Sequence, residues 1–119
     1  VAVSEDAEGI SGGGLLMITV TVGEGRIMVS GHSGYAPPGQ DIVCSAVSTL
    51  LQTFIASVER LTLDDIKYTL KAGYAAVEYE EIPSEKTILL ERAFLIGING
   101  IAESYPDNVK IIREDAPKP

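Results

Sequence analysis

A single cysteine, a single histidine and no tryptophan occur among the 119 residues. One cysteine cannot close an internal disulfide, and one cysteine with one histidine is too small a set for a structural zinc site built from protein ligands. No metal and no cofactor is expected. Basic residues are also few: nine Lys and Arg stand against seventeen Asp and Glu, for a net charge of −8. Nucleic-acid affinity comes largely from Lys and Arg neutralising phosphates, so no direct nucleic-acid partner is expected. No continuous apolar run approaches the roughly 20 residues that span a bilayer, and the first residues lack a basic segment followed by an apolar one. The chain therefore reads as cytoplasmic, without a membrane partner. What is present, 45% hydrophobic residues in a chain of this length, argues for one globular core and against disorder.

Residues 1–16 are acidic and glycine-rich, ending in Ser11-Gly12-Gly13-Gly14, and read as a flexible leader, an expression remnant or a mistaken translation start. Met17 looks like the true beginning, because Ile18, Val20 and Val22 then alternate with Thr19 and Thr21 as in a strand. Gly23-Glu24-Gly25 supplies a turn, and Arg26 to Ser30 completes a hairpin. Prolines and glycines exclude regular structure from Ser33 to Gly39. From Ile42 to Leu61 apolar residues recur at three-and-four spacing, which predicts a helix opened by Asp41. A second hairpin is expected over Ile66–Leu70 and Tyr74–Tyr79, and a second helix from Ser84 to about Ser104.

That second helix is apolar around most of its circumference, so it should lie at the centre of the monomer or also pack on a second subunit. Val109 to Ile112 can form a closing strand before the polar tail, 113–119. The expected architecture is a single compact α+β domain over 17–112, ordered β-β-α-β-β-α-β, with two helices on a mixed or antiparallel sheet.

His32 follows the second strand and Cys44 falls in the first turn of the next helix. A thiol there feels the positive end of the helix dipole and free backbone N–H groups, and an adjacent imidazole can take its proton. Both effects are expected to lower the thiol pKa. The thiolate could attack a carbonyl, with the same N–H groups holding the oxyanion. On a helical wheel Cys44 lies on the flank of the apolar stripe, near Ser48 and Asp41, from which it could reach a cleft. The alternative is a buried thiol acting as a small hydrophobe. Asp41 would raise the thiol pKa as a neighbouring carboxylate, so capping the helix or orienting His32 suits it better than activating Cys44.

The run from Gly31-His32-Ser33-Gly34-Tyr35 through Gly39-Gln40-Asp41-Ile42-Val43-Cys44-Ser45-Ala46-Val47-Ser48 closely resembles the signature of the ribosomal-processing cysteine proteases. Gly100-Ile101-Ala102-Glu103-Ser104-Tyr105-Pro106 is similar to the family's ending of the second helix. The resemblance implies a homodimeric cysteine endopeptidase that removes the N-terminal extension of ribosomal protein number twenty-seven of the large subunit. It implies Cys44 as nucleophile, His32 as general base and then acid, and a substrate-ordered loop carrying Gly34, Tyr35 and Gly39. Ser33 and Ser45 replace the usual alanines, and Pro37-Pro38 stiffens a loop that the family keeps flexible. Related sequences in prophages leave open a phage-protein substrate. Outside enzymology, the alternative is a non-catalytic ribosome-associated or phage-assembly binding module.

Overall fold

A computed structural model describes residues 17–37 and 40–114. The expected leader, the last five residues of the tail, Pro38 and Gly39 lie outside the described residues. The chain runs β1 (Ile18–Gly23), β2 (Arg26–Ser30), α1 (Ile42–Leu61), β3 (Ile66–Lys71), β4 (Tyr74–Tyr79), α2 (Glu85–Ser104) and β5 (Val109–Arg113). This is the expected element order, with the last strand one residue longer than anticipated. The five strands form one mixed sheet, ordered β3-β4-β2-β1-β5. Neighbours pair antiparallel except β1 and β5, which are parallel.

Side chains alternate across a strand, so one face of this sheet can be apolar while the other stays polar. Ile18, Val20 and Val22 of β1, Ile27 and Val29 of β2, and Ala75 and Val77 of β4 are all buried. They meet Val43, Val47, Leu51, Phe54 and Val58 of α1, with Phe94, Leu95 and Ile98 of α2, in one core. The two helices touch through Phe54 and Phe94, whose ring centroids are 5.5 Å apart.

Helix α1 reaches the length and apolarity of a bilayer-crossing segment, although polar residues interrupt its apolar runs. Its buried residues pack within the domain core, the usual fate of such a helix in a globular fold. For α2 the structure corrects the expectation of a central position. Only Thr87, Phe94, Leu95 and Ile98 are buried, while Ile88, Leu89 and Ile96 are exposed. The helix with apolar residues on nearly every side is thus an outer one, and α1 is the better covered of the pair.

At one end of the sheet, β2 runs out at Ser30 and the chain turns through Gly31, whose φ of +96° is left-handed. A Cβ there would lie 2.3 Å from the Met17 carbonyl oxygen, so glycine alone fits. The next residue is His32. The β3–β4 turn lies at the same end, where Gly31 N–H donates to the Gly73 carbonyl at 2.9 Å.

Candidate active site

Asp41 sits at the N-cap of α1 in an extended backbone conformation, which lets its side chain fold back over the first helical turn. Its Oδ1 accepts from the Cys44 N–H at 2.9 Å. Its Oδ2 accepts from the Ser33 hydroxyl and from the N–H groups of Tyr35, at 3.2 Å, and Ala36, at 3.4 Å. One carboxylate therefore ties the loop after β2 to the start of α1. Burial works to raise the Asp41 pKa, but the hydrogen bonds from Ser33, Cys44 and Ala36 outweigh it and hold the carboxyl below its ordinary value.

Cys44 is 1% exposed and belongs to the core cluster. Its sulfur accepts from the Ser33 N–H at 3.4 Å. Two expectations are corrected here. The thiol does not line an open flank of the helix, because the loop covers that flank. Nor is its pKa lowered: burial pushes it up, the Ser33 hydrogen bonds pull it partly back, and the Asp41 charge adds to the rise. Of the first-turn donors, the Cys44 N–H is already taken by Asp41 Oδ1. The helix geometry leaves the amides of Ile42 and Val43 as the remaining first-turn donors.

His32 is buried, and its neighbour in sequence, Ser33, is the residue in contact with the sulfur. Its ring lies against the β3–β4 turn, where a Cβ on Gly73 would come within 3.0 Å of Nε2. Among the described residues the buried His32 Nδ1 has no hydrogen-bond partner, and neither has Ser48 Oγ, one turn beyond Cys44. Gly34 is exposed with a φ of +68°. Tyr35 is 46% exposed and meets Tyr105 edge-on, with ring centroids 5.2 Å apart.

The fold thus brings His32, Asp41 and Cys44 into one region with Tyr35 beside them. Three residues in this region were not singled out as site residues: Ser33, Gly73 and Asn108, whose Nδ2 donates to the Ser33 carbonyl at 2.8 Å. Only Ser33 carried a sequence signal, as a departure from the family's alanine. Among the described residues no three His, Cys, Asp or Glu side chains gather as a metal-binding group. One hollow of the helix layer, about 600 Å³, is lined by Thr49, Gln52, Thr53, Ala56, Arg60 and Leu61 on α1, none of them a residue of this region.

A lone thiol and imidazole at the head of a helix have the make-up of a hydrolytic cysteine site, and the chain is a cysteine protease. The family described as cysteine protease Prp matches residues 17–110. The chain belongs to that family. The ribosomal processing cysteine protease Prp of Mycoplasma pneumoniae is 30% identical over 91 residues, covering 76% of this chain and 88% of that protein. Its namesake from Staphylococcus aureus is 24% identical over 103 residues, covering 82% and 97%. A crystal structure of the S. aureus protease with a covalently linked product peptide shares the fold, with a TM-score of 0.78 at 23% identity, over 82% of this chain and all of that one.

Proposed function

We propose that this chain is a homodimeric cytoplasmic endopeptidase that removes the N-terminal extension of ribosomal protein number twenty-seven of the large subunit. In this reading Cys44 is the nucleophile and His32 the general base and then acid. The observation that carries it is the hydrogen bond to the Cys44 sulfur from the N–H of Ser33, the residue after His32. A fixed N–H donor favours the thiolate over the thiol. His32, whose buried Nδ1 has no hydrogen-bond partner among the described residues, takes the thiol proton.

The thiolate adds to the scissile carbonyl, and the first-turn amides of α1 face the developing oxyanion. His32 then protonates the leaving amine, and a thioester remains on Cys44. Water, deprotonated by His32, attacks the thioester and releases the second product. Gly34, Tyr35 and Gly39 belong to the loop that receives the peptide, and no metal or cofactor takes part. An acidic chain of net charge −8 also attracts a basic ribosomal-protein substrate, and the named relatives are ribosomal processing proteases.

Intact-mass analysis of the host's precursor of ribosomal protein twenty-seven, incubated with this protein, tests the substrate. Loss of one discrete N-terminal peptide supports it. An intact precursor with a rapidly alkylated Cys44 redirects the search to a phage protein. Cys44 is buried, and slow alkylation that ignores His32→Ala would count against Cys44 as the nucleophile and His32 as its base.

Two further outcomes are expected. Gly73→Ala places a methyl against His32 at a φ of +77°, so the turn is strained and the imidazole displaced. Peptide turnover should fall by about tenfold or more with circular dichroism unchanged, because about 1.4 kcal/mol in the barrier is a factor of ten. The dimer is read from α2, where Leu89 is 67% and Ile96 73% exposed, large apolar side chains that a second copy would cover. The double substitution Leu89→Glu with Ile96→Glu should convert a dimer to a folded monomer in light scattering. An unchanged dimer mass would move the interface elsewhere.

A further inference from the structure

The Ser33 N–H is hydrogen-bonded to the Cys44 sulfur, so whatever fixes Ser33 helps to fix the nucleophile's environment. Ser33 is held at three points. Its N–H donates to Cys44 Sγ, its hydroxyl to Asp41 Oδ2, and its carbonyl accepts from Asn108 Nδ2. The third contact joins residues 75 apart in sequence. Asn108 is itself well anchored: its N–H donates to the Tyr105 carbonyl at 2.9 Å, and its carbonyl accepts from Ile18 N–H at 2.8 Å. It is clamped between the end of α2 and the start of β1, so its amide is a donor held in place before the loop arrives. Tyr105, from the same connection, braces Tyr35.

We propose that Asn108 is a positioning residue of the cysteine protease. By holding the Ser33 carbonyl it fixes the orientation of that residue, and with it the N–H that stabilises the Cys44 thiolate. The proposal rests on Cys44 being the nucleophile, as read above. The Ser33 N–H and carbonyl lie in the peptide planes on either side of its Cα. A hold on both hydroxyl and carbonyl therefore restricts the rotation that would carry the N–H away from the sulfur more than the hydroxyl alone does.

The test is the pH midpoint of Cys44 alkylation by iodoacetamide, each variant scaled to its own plateau so that access does not enter. Asn108→Ala removes the donor, and Asn108→Leu removes it while keeping the same branching at Cγ. The two titratable side chains gathered at the thiol, His32 and Asp41, are left in place. Asn99→Ala deletes a comparable side-chain amide, bonded to the Leu95 carbonyl on α2, and serves as control.

Both Asn108 variants should move the midpoint upward, with a loss of about three- to tenfold in thiolate population at fixed pH, the size expected for one hydrogen bond. On a cleaved peptide, kcat should fall by a similar factor with KM nearly constant. Asn99→Ala should alkylate as the parent does. Variants that keep the parent midpoint and kcat would overturn the proposal. If no peptide is cleaved by the parent, the proposed function fails, yet the alkylation midpoints still decide the role of Asn108.

Discussion

Cys44→Ala should lose peptide hydrolysis entirely, a fall of at least about a thousandfold. The chain holds no second cysteine, so no neighbouring thiol can replace it. Cys44→Ser should be nearly as inactive, because a hydroxyl keeps its proton where a thiol yields it to an imidazole. His32→Ala should cost about a hundredfold or more, the usual range for a positioned base. In all three variants the fold should persist, since each changes one side chain and leaves the other buried apolar residues of the core in place. Peptide turnover beside thermal unfolding separates the two effects. The raised thiol pKa gives the expected sign of the pH profile: activity of the parent should climb with pH on the alkaline side of neutrality, as the thiolate fraction grows.

Asp41→Ala should be the most destabilising single change in the loop, and Asp41→Asn a milder version of it. The carboxylate caps α1 and receives four hydrogen bonds. Loss of the cap costs about 1 kcal/mol, and the buried Ser33 hydroxyl left without its acceptor about 1–3 kcal/mol more. A total of about 2–4 kcal/mol corresponds to a Tm lower by about 10 °C or more in a domain of this size.

The pH dependence has a definite direction. The folded pKa of Asp41 is lowered, so the folded state binds its proton less readily than the unfolded chain. Its stabilisation is complete above the ordinary carboxylate value and is lost as pH falls through the lowered folded one. Denaturant melts should show the parent losing its advantage over Asp41→Asn in that acid window, and parallel curves would contradict the assignment. At the same time Asp41→Asn should lower the midpoint of Cys44 alkylation, since the charge that raises the thiol pKa is gone. A residue that stabilises the loop and opposes the thiolate is a scaffold for the site, not an activator of it.

Periodicity alone was enough for the strands and helices because both helices are amphipathic enough to declare their length and both hairpins turn at glycines. The closing strand, Val109–Arg113, was legible from its apolar residues, but its parallel pairing with β1 was not, since partner choice depends on where α2 returns the chain. The wheel position of Cys44 misled in a physical way. It measures exposure relative to one packing face, whereas α1 meets the sheet, α2 and the loop, so a flank residue became core. The apolar circumference of α2 leads to the expectation of cover, and the domain leaves Ile88, Leu89 and Ile96 exposed.

At the site, His32, Asp41 and Cys44 were legible because their chemistry is unusual in a chain with one imidazole and one thiol. Ser33, Gly73 and Asn108 enter the candidate site through contacts that the fold makes. Gly73 matters for the side chain it lacks, and Asn108 meets Ser33 only because β1 and β5 lie side by side. Neither relation leaves a local pattern.

The most direct test of the central claim is to quench the protein in acid during turnover of a peptide and to map any covalent adduct by mass spectrometry. The account predicts an acyl group on Cys44, removed by hydroxylamine as a thioester is, and absent from Cys44→Ala. Cleavage that continues in Cys44→Ala, or an adduct on any other residue, would contradict it.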